Sequence, residues 1–168
     1  MNYYADVILP LPLQGTFTYE LSKKEYENLG IGHRVAVSFG KRKVYTGVIK
    51  EIHNNKPALY ETKPIEFIYD KEELISESQI DFWSWISRYY FTPIGDVLKA
   101  AIPSTFLLES ETIIIKKEIN SDDIDQMTDD EYLIYEALDF KTLKINEVSD
   151  ILDKKNTYSV IQKMILKG

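Results

Sequence analysis

A short segment near the amino terminus, Thr16-Phe17-Thr18-Tyr19, alternates hydroxyl groups with aromatic rings directly after Gly15. Alternation with a period of two is the ordinary pattern of a β-strand, whose successive side chains point to opposite faces. The same residue types also suit one wall of a pocket for a nucleotide, because rings stack on bases and hydroxyls hydrogen-bond to sugar or phosphate oxygens. The residues alone leave both interpretations open.

A basic cluster further along the chain consists of Lys41, Arg42 and Lys43, directly after Gly40 and with an aromatic residue on either side. A glycine followed by charged residues between two apolar segments indicates a tight turn, and an exposed hairpin tip often carries lysines. Phosphate contacts with aromatic rings nearby are also typical of proteins that bind single-stranded nucleic acid. The cluster is therefore either an ordinary turn or a nucleic-acid contact.

No arrangement of residues typical of a catalytic or metal site occurs in the sequence. A phosphate-binding loop of the GxxxxGK[ST] type and a GxSxG nucleophile turn are absent, and the chain has no cysteine. His33 and His53 are the only histidines, and each is predicted to lie at the surface or at a strand end. His33, next to Arg34, is a candidate for contact with a phosphate. We predict no catalytic residue, cofactor or metal for this chain.

Charge is distributed unevenly along the chain. The 168 residues carry a net charge of −7, from 20 Lys and Arg against 27 Asp and Glu. Residues 1–106 hold 12 of the basic and 13 of the acidic residues, a net of −1, whereas residues 107–168 hold 8 and 14, a net of −6. Phosphate contacts are therefore expected in the first part. The absence of a long apolar run and of a secretory leader predicts a cytoplasmic protein.

Several strand-like segments, each rich in β-branched or aromatic residues, make up most of the first part of the chain. They comprise residues 3–9, 16–21, 32–40, 43–52 and 64–69. In the segment 43–52 the apolar residues change phase at Gly47, which predicts a β-bulge or a tight bend at that glycine. Short strands separated by turn residues favour a small barrel.

An amphipathic helix is predicted over residues 78–91, because its apolar residues recur at three- and four-residue spacing until Pro93 stops it. A helical stripe of this kind normally packs against its own domain. We therefore expect the apolar residues of its wide face to belong to the core: Phe82, Trp83, Trp85, Ile86, Tyr89 and Tyr90. A shorter helical segment follows and ends at Pro103.

The last third of the chain is predicted to be mainly helical. Residues 112–119 are predicted as one strand and residues 120–126 as an acidic linker. A helix then begins at Thr128, which forms a capping-box pattern with Glu131, and two more helices are joined by a turn in which Asn156 suits a helix cap. Three such helices are typical of a winged helix-turn-helix, and the chain ends at Gly168, where the wing is expected to begin.

The predicted fold class is α+β with two small domains. Residues 1–106 form a mainly-β small barrel with one packed amphipathic helix at 78–91. Residues 107–168 form a winged-helix domain that is truncated before the wing, so the chain is expected to be a fragment of a longer protein.

Four motifs in a fixed order carry a resemblance to a known family over roughly residues 5–106: V-x-L-P-x-P-L, T-F-x-Y, G-x-R-V-x-V-x-F-G and Y-Y-x-x-P-I-G-D-V-L-x-x-A-x-P. The chain resembles the amino-terminal region of primosomal protein N′, the PriA family of bacterial replication-restart helicases. The resemblance implies that the first domain binds the 3′ terminus of the nascent leading strand at stalled or branched replication forks. It also implies a parent ATP-dependent 3′→5′ DNA helicase, whose ATPase lobes and zinc insertion, with ATP, Mg and Zn, lie outside this chain.

The resemblance further implies a pocket for the terminal nucleotide formed by Phe17, Thr18, Tyr19, Gly40 and Lys63. A ring can stack on any base, glycine lets the backbone approach the sugar, and lysine can pair with a phosphate. Thr18 departs from the family, which often has aspartate there to accept a hydrogen bond from the free 3′-hydroxyl. A neutral hydroxyl makes the weaker bond and does not repel a phosphate. We therefore expect weaker discrimination between 3′-hydroxyl and 3′-phosphate ends.

The partners implied by the resemblance are DNA with a 3′ end, forked DNA, single-stranded DNA-binding protein and primosome proteins. The chain is expected to be a monomer without a membrane partner. The acidic winged-helix part carries Lys154, Lys155, Lys163 and Lys167. It is expected either to make a weak or auxiliary DNA contact or to pack against the helicase lobes that lie outside this chain. Two alternatives remain open: a generic barrel that binds single strands internally, and a protein-interaction adaptor without end recognition.

Overall fold

The computed structural model describes residues 2–40, 43–108, 112–117, 127–154 and 157–167, which fall into two units, Met1–Leu108 and Glu109–Gly168. The strands of the first unit are β1 (Tyr3–Ile8), β2 (Phe17–Leu21), β3 (Arg34–Phe39), β4 (Lys43–His53) and β5 (Ile65–Ile68). Its helices are α1 (Lys23–Asn28), α2 (Glu77–Tyr90) and α3 (Ile94–Ala101), with a 3-10 turn at Ser104–Phe106. The strands and helices predicted for this unit are confirmed, and α1, which begins with a capping box at Ser22, is an addition to them.

The strands form one antiparallel, five-stranded sheet in the order β2-β1-β4-β3-β5. The sheet curls until its two edges meet, where the Glu20 N–H donates to the Lys63 carbonyl oxygen at 2.9 Å. Glu20 and Pro64 form an isolated bridge at the same place. The predicted small barrel is thus a curled half-barrel, and the curl brings the segment before β5 next to the edge of β2.

Strand β4 contains a bulge that redirects its side chains. Ile49 pairs with Val7 and Glu51 pairs with Asp6, so Lys50 lies between the two pairs without a counterpart on β1. The predicted change of phase is therefore confirmed, but it occurs at Lys50, and its expected position at Gly47 is wrong. Gly47 is required for a different reason, because a Cβ there would lie 2.4 Å from Cγ1 of Val7.

Apolar cores lie on both faces of the sheet. Inside the curl, Val7 of β1 packs with residues of the other strands, whereas its neighbour Ile8 points to the opposite face and packs under α2 and α3. Successive residues of a strand point to opposite faces, so both cores draw on β1. Helix α3 begins close to the segment after β1, where a Cβ on Gly95 would lie 2.2 Å from the carbonyl oxygens of Leu9 and Leu11.

Helix α2 buries only one side of its wide aromatic face. Ile80 and Trp83 are buried, with Trp83 only 6% exposed, and Ile86 is half-buried. The remaining rings are exposed, which makes their expected place in the core wrong: Phe82, Trp85, Tyr89 and Tyr90. A helix that packs on a sheet buries one stripe of its surface, and these residues lie outside the stripe of Ile80 and Trp83. Three of them stack in a row, with ring centroids 5.9 Å and 5.1 Å apart.

The second unit contains β6 (Ile113–Ile114), α4 (Asp129–Ala137), β7 (Leu143–Lys144), α5 (Ile145–Leu152) and α6 (Tyr158–Lys167). The capping box of Thr128 and Glu131 is confirmed, and β6 pairs antiparallel with β7. Within the described residues, the strand predicted over 112–119 is limited to Ile113–Ile114; residues 120–126 and the Asn156 cap lie outside the described residues. Over the same described part of the chain, no helix has both the length and the apolar character needed to cross a membrane.

Candidate nucleic-acid interface

An open pocket of about 280 Å³ lies between the two edges of the curled sheet. Three segments line it: Phe17–Tyr19 of β2, Ser38–Gly40 at the end of β3, and Tyr60, Glu61 and Lys63 in the segment before β5. All the residues predicted for the terminal-nucleotide pocket are brought together here: Phe17, Thr18, Tyr19, Gly40 and Lys63. Small-ligand sites typically measure roughly 300–1,000 Å³, so this pocket has room for about one nucleoside.

Strand β2 lies at the edge of the sheet, so its outer backbone N–H groups are free to bind the segment before β5, which forms one wall of the pocket. The Thr18 N–H donates to the Tyr60 hydroxyl oxygen at 3.0 Å, and two residues later the Glu20 N–H donates to the Lys63 carbonyl oxygen at 2.9 Å. These two bonds hold the segment before β5 alongside β2. The backbone donor of Thr18 thus faces the pocket and is satisfied there by an exposed side chain.

Gly40 and Lys63 form the opposite wall. Gly40 has φ +68°, a left-handed conformation that favours glycine, and a Cβ built on it would meet no other heavy atom within 4 Å. The Lys63 Nζ donates to the Gly40 carbonyl oxygen at 2.8 Å, which fixes the exposed ammonium at the rim of the pocket. Among the described residues Lys63 has no ion-pair partner, so its charge is available to a phosphate.

The aromatic rings of the pocket differ in how much surface they offer to a base. Tyr19 is only 4% exposed, its ring belongs to the inner core, and its hydroxyl donates to the Ser38 carbonyl oxygen at 3.1 Å. Burial, with a smaller contribution from nearby Tyr60, raises the pKa of the Tyr19 phenol well above its ordinary value, so it remains a donor. Phe17 is half-buried and Tyr60 is exposed, so these two rings have the surface that base stacking needs.

Thr18 is tied to the neighbouring strand through its side chain. It lies directly opposite Asp6 on β1, and its Oγ1 donates to Asp6 Oδ1 at 2.7 Å. The same carboxylate oxygen lies 3.4 Å from His53 Nε2. The Asn55 N–H donates to His53 Nδ1 at 3.1 Å, which leaves the proton of a neutral ring on Nε2, on the side of Asp6.

The remaining predicted contacts lie away from the pocket or outside the described residues. Lys43 begins β4 opposite Phe39; its side chain is exposed and does not line the pocket. Lys41 and Arg42 lie outside the described residues. The sequence prediction of a basic contact beside the pocket therefore stays a prediction.

Arg34 and His33 are structural residues, and the suggested phosphate contact at this position is wrong. Arg34 is 4% exposed, and its guanidinium donates to both carboxylate oxygens of Asp70, at 2.6 Å and 3.0 Å. It also donates to the Phe106 carbonyl oxygen at 3.0 Å and lies over the ring of that residue. His33 is 3% exposed and its Nδ1 lies 3.0 Å from the backbone of Gly30. A buried, fully paired guanidinium is not available to a ligand.

Sequence reasoning did not find several residues of this site: Asp6, Ser38, Phe39, Tyr60 and Glu61. Asp6 was detectable in principle, because it is the single acidic residue in the apolar segment 3–9. Pairing that segment with the next strand in antiparallel register can place Asp6 opposite Thr18. Tyr60 and Glu61 lie in an irregular segment, where no periodicity indicates which side chains turn inward.

Comparison with known proteins shows which family this sequence matches. The family model described as the 3′DNA-binding domain (3′BD) of PriA matches residues 6–103. Replication restart protein PriA of Buchnera aphidicola subsp. Acyrthosiphon pisum (strain APS) is 33% identical over 113 residues, which are 67% of this chain and 15% of that protein. The PriA proteins of Treponema pallidum (strain Nichols) and Chlamydia pneumoniae are 27% and 31% identical over 62% and 60% of this chain. The chain thus spans only 13–16% of the length of these relatives.

Proposed function

Because this chain belongs to the 3′DNA-binding domain (3′BD) family of PriA, we propose that it binds the 3′ end of a DNA strand in the pocket between β2 and the segment before β5. The terminus would be that of the nascent leading strand at a stalled or branched replication fork. The terminal nucleoside enters the pocket, and the strand leaves past the ammonium of Lys63. Recognition is independent of base identity, because rings and backbone groups contact features that all nucleotides share.

The observation that carries this proposal is the convergence of the five implied residues on one small, open pocket. Its volume of about 280 Å³ is comparable with that of one nucleoside. Thr18 contributes its hydroxyl to one side of the pocket, and Lys63 contributes a cation to the other.

The test is competition between DNA molecules of identical sequence that differ only in their ends. Labelled forked DNA with a leading-strand 3′ terminus at the branch is displaced by unlabelled linear or circular single strands. We expect linear DNA to compete at least tenfold better than circular DNA, and a fork without the leading-strand terminus to bind correspondingly worse. Equal competition by circles would replace the proposal with the generic single-strand barrel. An unchanged affinity in Phe17→Leu combined with Lys63→Gln would favour the adaptor.

The second unit supports an auxiliary role, and we propose that it is a helix-turn-helix of the winged type. Helix α4 precedes the short β7, and α5 and α6 follow it, which is the order expected of that motif. Several of its lysines are already paired: Lys116 with Asp139, Lys141 with Glu147, and Lys154 with Asp130. With a net charge of −6 over residues 107–168 and these cations paired, the unit adds little phosphate neutralisation.

The cellular setting is part of the same proposal. The relatives are replication restart proteins, and we propose that this chain serves replication restart in the cytoplasm as the DNA-binding region of an ATP-dependent 3′→5′ helicase. Single-stranded DNA-binding protein and primosome proteins are the proposed protein partners. Co-purification of the chain with these proteins, with and without DNA, tests whether they bind the protein itself.

A further inference from the structure

We infer that Asp6 determines how strongly this chain prefers a 3′-hydroxyl end, by holding the Thr18 hydroxyl as a hydrogen-bond acceptor towards the ligand. This inference rests on the proposed function, because it concerns the same pocket and the same DNA terminus. Asp6 is a positioning residue in this account: it acts on the ligand through Thr18, which lines the pocket.

A threonine hydroxyl has a limited hydrogen-bonding capacity. Such a group has one proton to donate and two lone pairs that accept. Thr18 Oγ1 donates its proton to Asp6 Oδ1 at 2.7 Å, a short distance that is typical of a hydroxyl bonded to a carboxylate. With its proton committed to Asp6, the hydroxyl can only accept a bond from a ligand.

Asp6 is held in this position from two sides. It lies opposite Thr18 in the β1–β2 register, and its Oδ1 also lies 3.4 Å from Nε2 of His53 on β4. The backbone N–H of Asn55 occupies the other nitrogen of His53, which directs the ring proton towards Asp6. The carboxylate therefore cannot turn away from Thr18 without losing a second contact.

The three possible DNA ends differ in what they can offer such an acceptor. A 3′-hydroxyl donates a proton to Thr18, and the charge of Asp6 behind Thr18 polarises and strengthens that bond. A 3′-phosphate offers acceptor oxygens and negative charge, and it meets a hydroxyl without a proton to give. A 3′-deoxy end forms neither bond. The pair of Asp6 and Thr18 thus supplies the carboxylate that the neutral Thr18 alone lacks, and the expected discrimination is stronger than Thr18 by itself predicts.

The experiment measures dissociation constants of the 168-residue chain for one short single strand carrying a 3′-hydroxyl, a 3′-phosphate or a 3′-deoxy end. Asp6→Asn keeps the size of the side chain and removes its charge. The matched control is Glu51→Gln, because Glu51 pairs with Asp6 across β1 and β4 and loses the same charge from an exposed side chain. We expect Asp6→Asn to reduce the preference for hydroxyl over phosphate about fivefold, the difference between a charge-assisted and a neutral bond. Glu51→Gln should leave that preference unchanged.

A double-mutant cycle separates positioning from a merely structural effect. Thr18→Val removes the hydroxyl and should abolish the preference, and adding Asp6→Asn to Thr18→Val should then change nothing further. Thr18→Ser should restore the preference and its dependence on Asp6. An equal loss of affinity for all three ends in Asp6→Asn, or additive effects in the double mutant, would overturn the inference.

The wild-type chain distinguishes this failure from failure of the proposed function. If wild type binds circles and linear strands equally, the proposed function itself fails. If wild type prefers free ends but Asp6→Asn keeps the full preference for hydroxyl over phosphate, end binding stands and only the role of Asp6 is refuted. Thermal unfolding of each variant confirms that the comparison is made between folded proteins.

Discussion

Lys63 provides the sharpest test of the pocket, because its ammonium is fixed at the rim and has no carboxylate partner among the described residues. Lys63→Gln removes one cation and keeps a donor for the Gly40 carbonyl oxygen. Neutralising one fewer phosphate on a single strand lowers the slope of log K against log salt by about 0.7. Between 50 mM and 200 mM salt, the affinity advantage of wild type over the variant should therefore shrink by about 2.6-fold.

Fluorescence anisotropy with a short 3′-hydroxyl strand, repeated over a salt series, measures this slope. Because Lys63 is exposed, its loss should raise Kd at low salt by no more than about fivefold, which corresponds to about 1 kcal/mol. The matched control is Lys56→Gln, which removes another exposed lysine that does not line the pocket. Lys63→Arg should keep the slope. A slope that is unchanged in Lys63→Gln, or that falls equally in Lys56→Gln, would refute a phosphate contact at Lys63.

Three further predictions concern the scaffold of the pocket. Arg34→Leu should lower the free energy of unfolding by about 3 kcal/mol, because it leaves the partly buried carboxylate of Asp70 without its partner. It should leave the salt slope of DNA binding unchanged, and a stable variant with a reduced slope would contradict this. Trp83→Ala should cost about 3–5 kcal/mol in urea denaturation. Trp85→Ala on the exposed side of α2 removes only stacking with Phe82 and Tyr89 and should cost about 1–2 kcal/mol. Gly40→Ala and Gly15→Ala should each lower the free energy of unfolding by about 1–2 kcal/mol, because both glycines have positive φ; a Cβ at either position meets no other atom. Only Gly40→Ala should weaken DNA binding. Equal DNA affinities of the two variants would exclude Gly40 from the site.

Much of the first unit could be predicted because its elements are encoded by local patterns. The period of two in residues 32–40 and the three- and four-residue spacing in 78–91 depend only on neighbouring residues, and the structure has β3 and α2 there. The face that α2 buries was not predictable in the same way. Aromatic residues surround much of the helix, and the position of α3 and the sheet decides that Trp83 is covered and Trp85 is not.

Relations between distant residues mark the limit of what the sequence could show. The burial of Arg34 was not visible in the sequence, because its partners Asp70 and Phe106 come from segments 36 and 72 residues away. Tyr60 reaches Thr18 across 42 residues from a segment with no regular pattern. Family resemblance found the five pocket residues because it carries tertiary information that composition and periodicity lack.

Thr18→Asp shows how the structure changes an expectation drawn from the sequence. On sequence grounds, aspartate at this position should increase discrimination against a 3′-phosphate. In the structure the new carboxylate would replace a hydroxyl that lies 2.7 Å from Asp6, so the two negative charges would be in near contact. Two charges about 4 Å apart repel by about 1 kcal/mol in water and more in a partly buried site. Thr18→Asp should therefore lower the free energy of unfolding by at least that amount.

Combining Thr18→Asp with Asp6→Asn should relieve the repulsion, because an amide can donate to the new carboxylate where Asp6 could only accept. The double variant should regain stability and discriminate hydroxyl from phosphate ends at least as well as wild type, since it carries one carboxylate in direct reach of the terminus. Urea denaturation and the ratio of the two dissociation constants measure these effects. If Thr18→Asp alone proved as stable as wild type and as selective as the double variant, Asp6 and residue 18 would not share one site, and the account of Asp6 as the charge behind Thr18 would be wrong.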